Sequence, residues 1–241
     1  MIRIPHDQIV ALLDADWRSP GPISLNRSLT LDQLSGSLVL RHGRRVMVQM
    51  EADNGIKLTA VGNFNRKFVE QMVREFQWPG YEETFMRRYH KVFNEPDFIP
   101  LNYLHALIGV AGLGRRYRGR FRLTRLGRSL LAPEAAGELN AVLFDATFHR
   151  YNLAYLDRYP ETEALQQQIG LILFLLGLVA DEARSPKDLW AMTTLPIDPP
   201  PSSYAARPES VYRIRVLRIP RVVRPARAAP QGGERRTVGR P

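Results

Sequence analysis

Arginine alternates with aromatic residues in the run RRYRGRFRLTR at positions 115–125. Guanidinium groups at that density suit one kind of chemistry, the gripping of anions, and phosphate above all, through charge-assisted hydrogen bonds. Seven arginines fall between 115 and 128, and no acidic residue occurs from 115 to 132. With Gly119 as the turn of a hairpin, the two-residue period places Tyr117, Phe121 and Leu123 on one face. Arg116, Arg118, Arg120 and Arg122 then share the other. Like charges crowded on a narrow hairpin repel one another, so the pattern makes most sense with an anion opposite. The plainer reading is an exposed basic hairpin in a chain that uses 30 Arg against 4 Lys.

The preceding stretch, PLNYLHALIGVAGLG, reads as a helix over 101–112. Leu101, Leu104, Leu107, Ile108 and Ala111 recur at helical spacing and form its buried side. That leaves Asn102, Tyr103 and His105 to face a groove and touch base edges, with Arg125 adding charge beyond the hairpin. The helix carries no basic residue, which is unusual for a groove reader. No catalytic constellation accompanies it. The five histidines form no HExxH or paired metal spacing, Gly109, Gly112 and Gly114 follow a helix rather than a strand, and the serines lack a nucleophile elbow. With no cysteine, thiolate chemistry and disulfides are excluded. The expectation is a binding protein, not an enzyme, with no metal and no cofactor.

The elements that must position these residues follow from periodicity. Pro5 to Trp17 reads as a first helix, ended by SPGP at 19–22. The segment 37–50, SLVLRHGRRVMVQM, fits either a helix or a hairpin around His42-Gly43, and the helix is preferred because a short strand follows at 55–63. Asn65 to Phe76 is the clearest helix, with Phe68, Val69, Met72, Val73 and Phe76 in one apolar stripe and an asparagine cap. Residues 82–93 suggest a further helix, and NEPDFIP at 94–100 a turn. Thr124 can cap a helix through Leu126, Leu130 and Leu131. Beyond Pro133, Leu139, Val142, Leu143 and Ala146 keep helical spacing. Glu161 to Asp181 is apolar almost all round in its second half and must be covered, and Ser185-Pro186 starts a last helix. A small-molecule site among the helices of 133–195 is a third and weaker functional option.

Charge is local. The net +10 divides into +8 on residues 199–241, with ten Arg and two Glu, and +2 on everything before. The tail holds eight prolines and little large apolar residue, which predicts disorder. It reads as an unstructured extension, as a basic arm, or as the product of a reading-frame slip in a GC-rich gene. The longest apolar run, 169–180, is about half of the roughly 20 residues a membrane span needs. The first residues carry Asp7, Asp14 and Asp16 without a long apolar core, so neither a membrane partner nor a signal peptide is expected. A cytoplasmic location fits the absence of cysteine.

Two segments echo each other. Lys57-Leu58-Thr59-Ala60-Val61-Gly62 and Arg122-Leu123-Thr124-Arg125-Leu126-Gly127 share the pattern basic, Leu, Thr, any, aliphatic, Gly, 65 residues apart. Two related units in tandem account for this simply. The runs KLTAVGNFNRKFVEQMVREFQWPG, FIPLNYLHALIGVAGLGRRYRGRFRLTRLGRSLLAP and FHRYNLAYLDRYPE resemble a group of uncharacterised bacterial proteins. These share an LTxxGNLxRKFV signature and a later GLxRRxxGxxxLTxxGRxLL wing, and their relatives accompany plasmid open-reading-frame-like and SEC-C-type domains. The resemblance spans residues 25–195. It implies tandem helix-turn-helix architecture and brings no activity, ligand or catalytic residue.

The expected fold is therefore mainly α with short β-hairpins, an α+β class. A first helix-turn-helix-like unit occupies 1–62, a winged-helix unit 63–132, a helical domain 133–198 and a disordered Arg/Pro-rich tail 199–241. The expected function is that of a nucleic-acid-binding regulator with a wing at 115–123 on phosphates. DNA is the partner. The alternative is a protein-interaction or scaffold module whose arginines meet an acidic protein surface. Nothing in the sequence fixes an oligomeric state.

Overall fold

The computed structural model describes residues 4–14, 17, 21–157, 163–179, 181–195, 212, 213 and 216. They are mostly helical, with one small antiparallel sheet. Helix α1 is His6–Leu13. Helix α2, Leu38–Ala52, takes up the segment that also fitted a hairpin, and the Ser37 hydroxyl caps it by accepting from the Leu40 N–H at 3.3 Å. Strand β1 is Ile56–Lys57 and helix α3 is Arg66–Phe76, capped by the Asn65 side chain, which accepts from the Phe68 N–H at 3.2 Å. Of residues 82–93 only α4, Glu83–Met86, is helical. A 3-10 turn, Glu95–Asp97, leads into α5, Ile99–Val110. Strands β2, Gly114–Tyr117, and β3, Arg120–Leu123, form the hairpin.

Helix α6, Arg125–Ser129, follows directly, its cap Thr124 accepting from the Gly127 N–H at 3.0 Å. Helix α7, Ala136–Asp145, runs into a π-helical turn, Ala146–Arg150. Then come α8, Ala154–Asp157, α9, Glu163–Gln167, α10, Ile169–Val179, and α11, Pro186–Thr193. Among the described residues no helix is long and apolar enough to cross a membrane.

The strand order is β1-β3-β2, antiparallel throughout. The boundary expected at 62/63 thus runs between two strands of one sheet. A single core cluster joins α2, α3, α5, the inner face of the sheet, α7 and Ile169 and Ile172 of α10. It extends through the region expected to be a separate helical domain. The apolar stripe of α3 is buried as its spacing requires: Phe68, Val69, Met72, Val73 and Phe76 are all inside. Helix α10 packs into two clusters, Ile169 and Ile172 in the main core and Leu171 and Leu175 against Leu12 of α1, with Leu173, Phe174 and Leu176 half-buried and Leu178 exposed.

Most of the expected disordered tail lies outside the described residues. Two of its side chains do not behave as a solvated extension: Tyr212 and Val216 are buried. The Tyr212 hydroxyl is 2.6 Å from Thr193 Oγ1, and its ring meets Trp190 edge-on.

Candidate nucleic-acid interface

The hairpin turn has two residues, Arg118 and Gly119, with φ of 47° and 70°. Positive φ at both central positions is the two-residue connection whose twist matches that of the flanking strands. Tyr117 therefore pairs with Arg120, Arg116 with Phe121, Arg115 with Arg122, and Gly114 with Leu123. Residues directly opposite in an antiparallel pair share a face. The expected phase, with Gly119 alone at the turn, is consequently off by one residue along β2, which transfers every β2 side chain to the other face.

The corrected faces are distinct. The inner one carries Phe121 and Leu123, both buried, together with Ile56 of β1, which pairs with Phe121. Arg116 belongs to this side, at its exposed edge, with its guanidinium lying over Gly62 in the turn after β1. The outer face carries Arg115, Tyr117, Arg120 and Arg122. Lys57 joins them because it pairs with Arg120. So Tyr117 leaves the expected apolar face, Arg116 leaves the expected basic face, and Arg115 and Lys57 enter the basic face in its place.

Tyr117 is the centre of that face. The guanidinium carbons of Arg118, Arg122 and Arg115 stand 5.2, 5.4 and 5.9 Å from its ring centroid. These distances lie within cation–π range, worth roughly 0.5–1 kcal/mol each at an exposed site. Tyr117 itself remains 42% exposed. Arg120 bends back along the sheet: its Nε donates to the Gly55 carbonyl at 2.9 Å and its Nη2 to the Asp53 carbonyl at 2.8 Å. Carbonyl partners orient the guanidinium without cancelling its charge. Arg125 is exposed on the first turn of α6. Among the described residues no carboxylate forms an ion pair with Arg115, Arg116, Arg118, Arg120, Arg122 or Arg125. The nearby Arg128 does have one, Glu51 at 3.0 Å.

Helix α5 behaves differently from expectation. Tyr103 is buried, and its hydroxyl lies 2.8 Å from Thr147 Oγ1 on the π turn. Burial raises its pKa far above the usual tyrosine value. His105 is also buried: its Nδ1 is 2.7 Å from Glu95 Oε1, and its ring stacks on Phe64 at 4.0 Å with Phe121 edge-on at 4.4 Å. Asn102 is half-buried, its amide donating to the same Glu95 oxygen at 3.3 Å. Glu95, 1% exposed, also accepts from the Phe64 N–H. The expected groove-facing trio thus points inward, because the 94–98 turn places a carboxylate beneath the start of α5. Its solvent side is left with Ile99, Ala106 and Val110.

A separate hollow of about 870 Å³ opens in the 133–195 region, lined among others by His149, Arg150, Asn152 and Gln166. Its polar groups are engaged with one another. His149 Nδ1 is 2.9 Å from Asp145 Oδ1, Arg150 Nη2 donates to Asp145 Oδ2 at 3.0 Å, and Gln166 Nε2 donates to the Phe148 and Tyr151 carbonyls at 2.9 and 2.6 Å.

Residues 35–137, which hold the sheet and α5, match the model of the Y4jL N-terminal domain. The chain is also 31% identical over 142 residues to the uncharacterized protein y4jL of Sinorhizobium fredii, an overlap covering 58% of this chain and 62% of that protein. It thus spans about three-fifths of that relative's length. Both likenesses point to an uncharacterised bacterial family. No solved structure matches the chain significantly.

Proposed function

We propose that residues 38–123 form one winged-helix-like unit, and that it binds nucleic acid, DNA in the first place, through the outer face of its sheet. The element order helix, strand, helix, short helix, helix, strand, strand, with the first strand pairing the last, supports a single unit rather than two in tandem. The observation that carries the binding reading is the basic face itself. Lys57, Arg115, Arg120 and Arg122, with Arg118 at the tip, surround one exposed tyrosine and have no ion-paired carboxylate among the described residues. Charges held together in this way repel, and phosphates laid along the face relieve that repulsion while releasing their own counterions. Helix α5 supports the sheet from behind and reads no bases.

The test is a titration of the full chain against a labelled DNA carrying both a duplex and a single-stranded overhang, repeated at several salt concentrations. The reading predicts that log affinity falls steeply and linearly with log salt. Arg115→Ala, Arg118→Ala and Arg122→Ala together should flatten the slope by roughly one for each phosphate no longer neutralised. The basic tail is common to both proteins, so the difference reports the sheet. A slope unchanged by the triple substitution overturns the proposal and leaves the scaffold alternative.

A further inference from the structure

Resting on that reading, we infer that the sheet takes single-stranded DNA in preference to duplex, with Tyr117 and the guanidinium groups around it serving as a stacking platform for unpaired bases.

Three observations converge. The first is what α5 lacks. A helix entering a major groove needs polar side chains on its solvent side. Here those positions are Ile99, Ala106 and Val110, while Asn102 and His105 are both committed to Glu95. Sequence readout of a duplex by the helix next to the hairpin has no chemistry to work with.

The second is the aromatic at the centre of the basic face. A surface that grips duplex phosphates can use the hydroxyl of a tyrosine but not its ring, since the faces of paired bases are hidden in their own stack. A single strand exposes those faces. Base-on-aromatic stacking beside a basic groove is the general means by which single strands are held without sequence reading, and arginine planes extend it. Tyr117 is exposed over 42% of its surface, and Arg115, Arg118 and Arg122 all stand within 6 Å of its ring.

The third is the turn. Arg118 adopts a left-handed conformation at φ 47°, a position where glycine or asparagine is far easier to place. Together with Gly119 it tightens the hairpin so that the Arg118 guanidinium folds back over Tyr117 rather than pointing away along the strands. An asparagine there would relax the backbone but leave one side of the ring bare. The short strands offer roughly 13 Å of flat surface at about 3.3 Å per residue, enough for a short run of unstacked nucleotides.

Fluorescence anisotropy on the full chain decides the matter, using labelled oligothymidine, a duplex of equal length and an oligouridine. The wild type should bind oligothymidine more tightly than duplex. Tyr117→Ala should weaken oligothymidine binding roughly tenfold, from the loss of one stacked base, and duplex binding distinctly less. Tyr117→Phe, which keeps the ring, should restore it. Tyr117 lies on the outer face, and unchanged circular dichroism would confirm that both variants are folded. Equal or tighter binding to duplex overturns the inference, as does a Tyr117→Phe variant as weak as Tyr117→Ala. Tighter binding of oligouridine overturns it in favour of RNA. Salt-dependent binding of duplex and single strand alike, insensitive to Tyr117, defeats this inference and leaves the proposed function standing. No binding to any of the three defeats both.

Discussion

Helix α5 and the β2–β3 hairpin are adjacent in sequence and look there like parts of one device, yet they divide the work. The helix turns its polar residues inward. Tyr103 reaches Thr147, His105 reaches Glu95, and the shell around them is Phe64 and Phe121. The hairpin turns its charged residues outward around Tyr117 and buries Phe121 and Leu123 beneath. What separates them is the availability of partners. Polar groups on α5 meet a buried carboxylate and a hydroxyl, so burying them leaves nothing unsatisfied. On the outer face Arg120 meets backbone carbonyls, Arg115, Arg118 and Arg122 meet the Tyr117 ring, and the buried Arg122 Nε has no hydrogen-bond partner, so neither charge nor hydrogen bonding is completed there. Polar side chains therefore mark a binding face only where the molecule itself does not complete them.

The sharpest way to break this comparison is at Glu95. Its two oxygens take the Phe64 N–H, the Asn102 amide and the His105 ring at a site 1% exposed. Glu95→Ala leaves all three unpartnered, and removing one member of such a buried polar set costs about 3 kcal/mol or more. Urea unfolding should show that loss. A change below about 1 kcal/mol would mean that α5 is not held from within. The Arg115/Arg118/Arg122→Ala protein should do the opposite. Its salt slope should drop by roughly two to three, while its stability stays within about 0.5 kcal/mol of wild type, as for surface changes generally.

Much of the frame is legible in the sequence because it rests on strict periodicity. The stripe of α3 and the apolar side of α5 follow directly from spacing, and the Asn65 and Thr124 caps from residue type. The hairpin's presence is legible too, but its phase is not. Arginine is a poor residue for a left-handed turn, so Gly119 alone is the natural centre, and a single-residue displacement inverts β2. The inward turn of Tyr103 and His105 has no local signal, since it depends on where Glu95 comes to lie. The echo between 57–62 and 122–127 has a local explanation. The two segments leave neighbouring strands of one sheet, each placing a leucine inward and a threonine at the turn. Gly127 packs directly against the Leu113 carbonyl, and Gly62 sits under Arg116 at φ 88°. The pattern reports two similar exits from one sheet.

A pH titration sharpens the contrast between body and face. His42 on α2 is buried against Phe76 and Trp78, with ring centroids 4.4 and 5.4 Å away. Burial, aided by neighbouring Arg41, lowers its pKa from 6.5 to about 4. The unfolded chain therefore binds a proton at His42 before the folded one does. Its contribution to stability is full above pH 6.5 and is lost as pH falls toward 4. Acid unfolding should begin in that window and shift to lower pH in His42→Phe, which keeps the ring packing. The outer face carries no histidine or carboxylate, so the salt slope of DNA binding should not change across the same range while the protein remains folded.

The smallest effect distinguishes a paired arginine from unpaired ones. Arg128 lies just beyond the hairpin and belongs to the same basic run, but its Nε donates to Glu51 at 3.0 Å, and both side chains are about half exposed. An exposed pair of this kind contributes about 0–1 kcal/mol, so Arg128→Ala should shift the unfolding midpoint very little. Because Glu51 already neutralises it, the substitution should also leave the salt slope of DNA binding where it was, whereas Arg118→Ala alone should lower it by roughly one. Equal slope changes for the two would show that affinity follows total basic charge rather than the arrangement around Tyr117. The sheet would then lose its distinction from any other arginine-bearing surface of the chain.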